Sequence, residues 1–461
     1  MTADKQGQEF PVEPGRHRGR HTSRGLFTPE RILLVGFALL IALGTLLLSL
    51  PFAVRPGGGT GFLTALFTAT SAVCVTGLVV VDTADNWSTF GQLVILGLIK
   101  TGGLGFLTMT SLILIVMGRR IGLRQRLLLQ ESLNQAQVGG IVRLVVRIVV
   151  ISVLIEAVFT LVLASRFIAD FGLGRGLWMG LFHSVSAFNN AGFDLLGGFR
   201  SLTPYTGDIV VNLGIAVPVI LGGLGFVVIV DLYRQRGFHD LTLHSKVVLS
   251  ATGLLLLFGT LIILSLEQSR TLAGLSGPDK VLAAFFQAMT PRTAGFSTVA
   301  TETLDTSTLF FLLALMFIGA GPNSVAGGIK VTTFAILVLA TWNLYRGREA
   351  IAISERQIPQ IMLLKALALT MILFGLIFLT TLLLSITEEA DFLATLFETT
   401  SAFGLVGLTL GLTPELSPVG KLIITVSMFI GRVGPFTIAF ALAKPGKKPH
   451  IKYPEENIVI G

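Results

Sequence analysis

The sequence predicts an all-α integral membrane protein of four tandem repeats, with eight transmembrane helices, four re-entrant half-helices and pseudo-fourfold symmetry. The first reason is composition, because a chain of 461 residues that is 52% hydrophobic and only 13% charged has more apolar surface than one soluble core can bury. The second is a short phrase that occurs four times. The third is its setting, since each copy lies between two long apolar stretches and is therefore expected to dip into the membrane.

The repeated phrase sets the size of the unit. It occupies residues 67–77, 182–192, 285–295 and 397–407. In every copy a Phe stands ten residues before a Gly, and a Leu or Phe follows that Gly. The four glycines are separated by 115, 103 and 112 residues, so the chain consists of about four units of one plan.

Each unit is predicted as a full span, a half-span and a second full span. In the first unit a span at 33–50 is stopped by Pro51, and residues 62–75 are too short to cross a bilayer before Gly77 ends them. A second span runs from about residue 90 to residue 117. The later units are expected at about 141–165, 177–191 and 208–232, then 246–266, 279–293 and 307–341, and finally 361–386, 391–405 and 417–443.

The positive charges indicate how the chain is oriented. The tails and the loops between repeats, together with the adjoining ends of the predicted spans, hold 23 of the 34 Lys and Arg residues, whereas the opposite side holds seven. An even number of spans per repeat places those loops and both termini on one face, and the positive-inside bias makes that face cytoplasmic. We therefore expect a multi-pass protein of the inner or plasma membrane of the cell. The net charge of +8 then reflects topology, and we expect no nucleic-acid partner.

The ends of the half-spans are the candidate binding elements. The C-terminus of a helix leaves carbonyl groups unpaired, and irregular backbone at membrane depth must be buried in protein or line a water-filled cavity. Four such ends on one axis would surround a cavity with oxygen ligands suited to an alkali cation, and glycine can adopt the backbone angles required. The candidate ion-binding residues are Val75, Thr76, Gly77, Asn190, Ala191, Gly192, Thr293, Ala294, Gly295, Leu405, Val406 and Gly407.

Glycine in membrane helices more often serves close helix packing. We prefer that interpretation for the glycines at 102–105 and 222–225, which cluster inside predicted spans. It does not explain four half-spans of matched length that each end in Gly at the same offset.

A glycine-rich segment interrupts the second span of the third repeat. Residues 319–330 read Gly-Ala-Gly-Pro-Asn-Ser-Val-Ala-Gly-Gly-Ile-Lys, which cannot form a regular helix. A phosphate-binding loop is disfavoured because no strand precedes it and the Gly-Lys-Ser/Thr ending is absent. A packing kink is the simpler interpretation, but the depth of the segment favours a mobile constriction. The candidate gate residues are Gly319, Gly321, Pro322, Asn323, Ser324, Ala326, Gly327, Gly328 and, in the last span, Arg432.

Three polar residues lie within the predicted spans and half-spans and need an explanation. Arg432 either lowers cation occupancy below the binding site or forms a structural ion pair with Glu398 or a half-helix C-terminus, and the two roles do not exclude each other. Arg292 is expected to anchor the third phrase, because a cation lining the site would block it. His183 is expected to be a packed histidine rather than a metal ligand.

The segments that contain the repeated phrase resemble segments of a known family. They are Ser71-Ala-Val-Cys-Val-Thr-Gly-Leu78, Ser186-Ala-Phe-Asn-Asn-Ala-Gly-Phe193, Thr290-Pro-Arg-Thr-Ala-Gly-Phe296 and Ser401-Ala-Phe-Gly-Leu-Val-Gly-Leu408. They resemble the four pore loops of the Trk/Ktr/HKT superfamily of potassium transporters, and the Tyr453-Pro-Glu-Glu tail resembles its KtrB-type membrane subunit. The resemblance covers about residues 30–461, and Lys100 departs from the neutral polar residue expected there.

The resemblance implies M1–pore-helix–M2 repeats, in which M1 and M2 are the first and second spans and the pore helix is the half-span. It further implies a potassium pore within one subunit, an intramembrane gating loop at 319–330, a homodimer, and a cytoplasmic nucleotide-binding ring of the RCK type as partner. The units are then a basic cytoplasmic tail at 1–30, pore repeats at 31–118, 141–232, 244–345 and 360–443, and a cytoplasmic tail at 444–461.

Two other classes compete with a potassium pore. A sodium-coupled secondary cation transporter also uses repeats and broken helices, but its inverted repeats need an odd number of spans per unit. A membrane enzyme would need acid, base or metal-binding residues at membrane depth, and the sequence shows no such constellation. We expect potassium as the substrate, sodium as a possible activating or coupled ion, no covalently bound cofactor, and membrane lipid as a further partner of the Arg-rich loops.

Overall fold

A computed structural model describes residues 29–59, 61–117, 140–235, 237–348 and 356–434, with positions 122, 126, 127, 129, 352, 353 and 437. The C-terminal tail 444–461, nearly all of the N-terminal tail 1–30 and most of the arginine cluster at 119–126 lie outside the described residues. The described helices are α1 (Pro29–Leu48), α2 (Phe62–Cys74), α3 (Thr83–Asn86), α4 (Thr89–Leu104), α5 (Phe106–Val116), α6 (Ile141–Phe171), α7 (Leu173–Phe188), α8 (Ile209–Leu224), α9 (Phe226–Arg234), α10 (Leu243–Glu267), α11 (Gly277–Met289), α12 (Thr306–Phe317), α13 (Val331–Tyr345), α14 (Gln360–Thr387), α15 (Phe392–Gly404), α16 (Leu412–Glu415) and α17 (Pro418–Val433).

The only described strands form a two-stranded antiparallel ribbon, β1 (Ala352–Ile353) and β2 (Arg356–Gln357), in which Ala352 pairs with Gln357. Single-turn 3₁₀ helices lie at Pro51–Ala53, Thr203–Tyr205, Phe238–Asp240 and Thr301–Thr303. The described chain is therefore mostly helical, as the sequence predicts.

Four described helices are long and apolar enough to cross a membrane: α1, α6, α10 and α14. They are the first spans of the four predicted repeats, and 20 helical residues already cover about 30 Å. A fifth span is possible if α8 and α9, which meet at 96°, count as one. The predicted total of eight spans is therefore not confirmed by helix length and composition.

The second spans predicted as single stretches at 90–117 and 208–232 are each divided into two helices, and the second span of the third repeat is interrupted by the glycine-rich segment, as expected. Gly105, Gly225 and Gly434 have φ angles of +84°, +95° and +88° and end α4, α8 and α17, while residues 318–330 separate α12 from α13. Three residues before each of those glycines lies another glycine that packs on a half-helix. A methyl group built on Gly102 or Gly222 would lie 1.9 Å from a carbonyl oxygen, that of Val73 or Phe188.

The helices close into a ring of four repeats. Each long helix packs against the half-helix that follows it, which pairs α1 with α2, α6 with α7, α10 with α11, and α14 with α15. The next helix then packs on the half-helix of the following repeat, which pairs α4 with α7, α8 with α11, and α12 with α15. The last of these helices, α17, packs back on α2, so the arrangement closes on itself.

The phenylalanines of the repeated phrase lie at the centre of the core in three copies. Phe67, Phe182 and Phe397 are fully buried. In the third copy Phe285 is only partly buried, and Phe286 takes the fully buried position. The third phrase is therefore one residue shorter between its core aromatic and its glycine than the other three.

Candidate functional site

Just before the glycine that ends each phrase, the backbone adopts the same unusual conformation. The φ angles of Val75, Asn190, Thr293 and Leu405 are +61°, +53°, +74° and +55°. The glycine two residues later also has a positive φ angle, +92° at Gly77, +69° at Gly192, +75° at Gly295 and +87° at Gly407. Left-handed backbone is rare for a β-branched residue such as Val, so the surrounding structure must hold it there.

The four glycines meet around one closed ring, which we call the glycine ring: the twelve residues 75–77, 190–192, 293–295 and 405–407. Each glycine packs against the carbonyl oxygen of the residue before the next glycine. A methyl group built on the glycine would lie 2.6 Å from that oxygen for Gly77 and Ala191, 3.0 Å for Gly192 and Ala294, 2.8 Å for Gly295 and Val406, and 2.3 Å for Gly407 and Thr76. The candidate ion-binding residues thus come together, and no side chain larger than hydrogen fits at the four contacts.

A hydroxyl group holds each segment of the glycine ring from within its own repeat. Ser71 Oγ accepts a hydrogen bond of 3.1 Å from the Gly77 backbone N–H, and Ser401 Oγ does the same for Gly407. In the second repeat Ser186 Oγ donates to the Phe193 carbonyl at 2.8 Å, and in the third Thr290 Oγ1 donates to the Phe296 carbonyl. The recurrent Ser or Thr of the phrase therefore has a structural role that the sequence alone did not assign.

The glycine ring contains no charged side chain. Its non-glycine members are at most 1% exposed. The Asn190 side chain lies 3.2 Å from Thr293 Oγ1 and joins the second segment to the third. Within the described part of the chain, the buried Thr76 hydroxyl has no hydrogen-bond partner. The groups that the ring can present to a ligand are therefore neutral oxygen atoms.

The glycine-rich segment 318–330 lies directly against the glycine ring. A methyl group on Gly327 would lie 2.6 Å from both the Gly404 carbonyl oxygen and the Leu405 side chain. The segment is held at its base because Gly319 N–H donates to the Ile329 carbonyl at 2.9 Å. It also docks on the break between α8 and α9, where Gly321 N–H donates to the Gly223 carbonyl at 2.8 Å. The candidate gate residues on this segment are therefore brought to one place.

Arg432 joins this segment to the break in the first repeat. Its guanidinium donates to the Val325 carbonyl and to the carbonyls at the end of α4, Gly102 and, at 3.3 Å, Gly103. The described residues show no ion pair between Arg432 and Glu398. Glu398 instead accepts hydrogen bonds from two threonines of its own repeat, Thr409 at 2.7 Å and Thr413.

The remaining polar residues at membrane depth have local partners. Arg292 is 6% exposed and its Nη2 donates to Thr252 Oγ1 of α10 at 3.3 Å, which ties the third segment to its long helix. His183 Nδ1 lies 2.8 Å from the Met179 carbonyl and its ring packs on Phe167, as expected for a packed histidine. Lys100 forms an ion pair of 2.6 Å with Glu156 of α6, a residue that the sequence analysis did not single out.

Known proteins resemble this chain over most of its length. A family model described as TrkH, a cation transport protein, matches residues 39–450. The Ktr system potassium uptake protein B of Bacillus subtilis strain 168 is 45% identical over 437 residues, which covers 94% of this chain and 97% of that protein. The potassium/sodium uptake protein NtpJ of Enterococcus hirae is 39% identical and covers 95% of this chain and 98% of its own length.

A solved structure shares the fold. The crystal structure of the potassium transporter TrkH from Vibrio parahaemolyticus superposes with a TM-score of 0.73 at 20% sequence identity. The match covers 92% of this chain and 87% of that one.

Proposed function

The chain belongs to the TrkH family of cation transport proteins, and from this premise we propose that it takes up potassium across the cell membrane through a pore within one subunit. Membership in a transport family is consistent with the absence of an acid–base constellation in the sequence, and we infer no enzymatic activity. Relatives at 45% and 41% identity are named potassium uptake proteins, which supports potassium as the cation.

The observation that carries the proposal is the closed glycine ring. Four uncharged backbone segments from four repeats meet there, with each glycine against the carbonyl of its neighbour. Carbonyl oxygens in such a ring can replace the hydration shell of a potassium ion. The Thr76 hydroxyl, which has no hydrogen-bond partner among the described residues, adds one more neutral oxygen. Selectivity would then depend on where twelve backbone units hold their oxygens, and not on any charged side chain.

We infer that the divided second helices act together as the second spans, which makes eight crossings. Broken helices are tolerated at membrane depth where the freed backbone groups are buried in protein. Here the groups freed at the breaks are partly matched, since Arg432 binds the carbonyls at the end of α4 and segment 318–330 binds the end of α8. The basic loops and both termini would then face the cytoplasm.

We further propose that segment 318–330 is the gate of this pore. It touches Leu405 of the glycine ring and the preceding Gly404, and hydrogen bonds fasten it to Gly223 of the second repeat, to Arg432 of the fourth and at its own base. A loop with so few helical restraints can change its conformation at lower cost than a helix. Arg432 would hold it in the closed position and add a positive charge below the ring.

The regulatory partner is proposed to be a cytoplasmic nucleotide-binding ring of the RCK type. The relatives are named as components of a Ktr system, which implies a further component. A gate needs a partner that binds its open and closed forms with different affinities, and the described chain contains no soluble domain to serve as one. A homodimer in the membrane, with lipid at the basic loops, completes the proposed assembly.

A sodium-coupled transporter is the second candidate, because one relative at 39% identity is named a potassium/sodium uptake protein. Purified protein in liposomes separates the two candidates. A potassium pore predicts uptake of potassium and rubidium down their gradients without sodium, and little sodium uptake. Potassium uptake that requires a sodium gradient, with no uptake in its absence, would support the coupled transporter instead.

A further inference from the structure

A buried ion pair joins the first repeat to the second. Lys100 Nζ of α4 donates to both carboxylate oxygens of Glu156 on α6, at 2.6 and 2.7 Å, and to Ser152 Oγ at 2.5 Å. The side chains of Lys100 and Glu156 are only 19% and 8% exposed. Ionised residues inside apolar spans are costly, and a buried pair often stabilises a protein no better than packed apolar residues would. The pair therefore calls for a role other than holding two helices together.

The pair is connected to the glycine ring through Asn189. Asn189 Nδ2 donates to Glu156 Oε1 at 2.9 Å, and Asn189 directly precedes Asn190, the first ring residue of the second segment. A second hydrogen bond of 2.7 Å joins Ser184 Oγ of the half-helix to the Glu156 backbone carbonyl. Glu156 thus fixes the end of α7 at the point where the chain turns into the ring.

Asn189 is confined from its other side by the helix that carries Lys100. A methyl group built on Gly103, three residues beyond Lys100, would lie 2.3 Å from Asn189 Oδ1. That oxygen is buried and has no hydrogen-bond partner within the described residues. The orientation of the Asn189 amide therefore depends on its donor side, which points to Glu156 and to the Val185 carbonyl at 2.8 Å.

The four repeats differ at this position. The residues three places before the ring glycines are Cys74, Asn189, Arg292 and Gly404. Asn189 and Arg292 reach the long helix of their own repeat, Glu156 on α6 and Thr252 on α10, whereas Gly404 has no side chain to do so. In the fourth repeat the half-helix meets its long helix through two neutral hydroxyls, Thr399 and Thr381, 2.8 Å apart. The second segment is thus connected, through Asn189 and Glu156, to Lys100 of the first repeat, whereas the fourth is joined to its long helix by neutral hydroxyl groups.

We propose that Lys100 and Glu156 are positioning residues, which set ion selectivity by holding Asn189 and hence the ring segment 190–192 in place. This inference rests on the proposed function, since it assigns the pair to the same pore. Lysine neutralises and orients the carboxylate, and the carboxylate oxygen accepts from Asn189. Loss of that acceptor removes one of the contacts that hold the second quarter of the ring, while the contacts of the other three quarters are unchanged.

Two double variants isolate the acceptor from the charges. Lys100→Met/Glu156→Gln removes both charges but keeps a side-chain carbonyl for Asn189, and Lys100→Met/Glu156→Leu removes both charges and the acceptor. Both leave no unpaired buried charge, so both are expected to fold, and thermal unfolding in detergent verifies it. We expect the Gln variant to keep the wild-type potassium-to-sodium permeability ratio in liposomes. We expect the Leu variant to lower that ratio about fivefold, the effect of one lost hydrogen bond.

The outcomes separate this inference from the proposed function. Wild-type protein without potassium uptake would overturn both. Wild-type selectivity in a folded Leu variant would reduce the pair to an interhelical contact and overturn the inference alone. An equal loss in the Gln and Leu variants would also overturn it, because the charges and not the Asn189 acceptor would then be responsible.

Discussion

Arg432 of the last described helix donates a hydrogen bond to the backbone carbonyl of Val325, so a side chain of the fourth repeat fastens the glycine-rich segment of the third. The same guanidinium binds the Gly102 carbonyl of the first repeat. Three repeats therefore meet at one cation. If segment 318–330 is the gate, the free energy that keeps it closed includes these contacts.

Replacement of Arg432 with Ala should raise basal potassium flux. The change removes the hydrogen bond to Val325 and a positive charge that opposes cation entry below the ring. The measurement is potassium uptake into liposomes, normalised to the amount of folded protein because the carbonyls at the end of α4 lose a partner. Arg292→Ala is the control, since the buried Arg292 is also a cation at membrane depth but contacts α10 and not segment 318–330. Equal flux in wild type and Arg432→Ala would remove Arg432 from the gate.

Shortening of residues 321–327 should raise flux further than Arg432→Ala and should make it independent of any regulator. Deletion removes the contact of Gly327 with Leu405 while the ring residues themselves stay unchanged. Selectivity for potassium over sodium is therefore expected to persist at the higher flux. A deletion variant that folds but conducts less than wild type would show that the segment is a structural kink.

Co-expression with an RCK-type nucleotide-binding subunit should yield a complex that survives detergent purification, with potassium flux that differs between ATP and ADP. The reason is that the gate must be biased by a partner with different affinities for its two forms. Pore protein alone is the control. Full nucleotide sensitivity in the absence of the partner would contradict a separate sensor, and a complex indifferent to nucleotide would contradict its gating role.

Asp194, two residues beyond the ring glycine of the second repeat, should make stability depend on pH. Burial raises the pKa of its carboxyl from 3.8 to about 6, against a hydrogen bond from the Leu196 N–H that lowers it. The native state thus binds this proton more tightly than the unfolded chain. The stability that this adds is fully present below about pH 4 and is lost as the pH rises to about 6.

Asp194→Asn removes this dependence, because an amide does not ionise and still accepts from the Leu196 N–H. Relative to wild type the variant should gain stability between about pH 4 and about pH 7.5, by on the order of 1–3 kcal/mol. Thermal unfolding in detergent at the two pH values measures the change. A difference between variant and wild type that is the same at both pH values would contradict the raised pKa of Asp194.

The glycine ring was predictable because its signal is periodic. Each of the four glycines follows a phenylalanine at the same distance in sequence, so the repeat can be recognised by residue spacing alone. The structure brings the same glycines together. The third copy shows the limit of counting. Phe285 matches the spacing, yet Phe286 occupies the core because that segment is one residue shorter. The spacing alone cannot show which of two adjacent phenylalanines is the buried one.

The divided second helices and the Lys100 contact were not predictable in the same way. Gly102 and Gly105 are one motif in the sequence, but Gly102 packs on Val73 whereas Gly105 ends the helix with a φ angle of +84°. Small size and conformational freedom are both properties of glycine, and tertiary contacts decide which one is used. Lys100 pairs with Glu156 across 56 residues, a separation that leaves no local pattern.

Selectivity of the glycine ring is the central claim, and Gly77→Ser tests it most directly. Its Cβ would lie 2.6 Å from the Ala191 carbonyl oxygen and must displace the ring backbone. Gly411→Ser is the matched control, because Gly411 has a similar φ angle of +86° and nothing within 4 Å of an added Cβ. Reversal potentials with potassium on one side of the membrane and sodium on the other should show a lower potassium-to-sodium permeability ratio for Gly77→Ser and a wild-type ratio for Gly411→Ser. A folded Gly77→Ser protein with wild-type selectivity would contradict the assignment of the glycine ring as the selectivity filter.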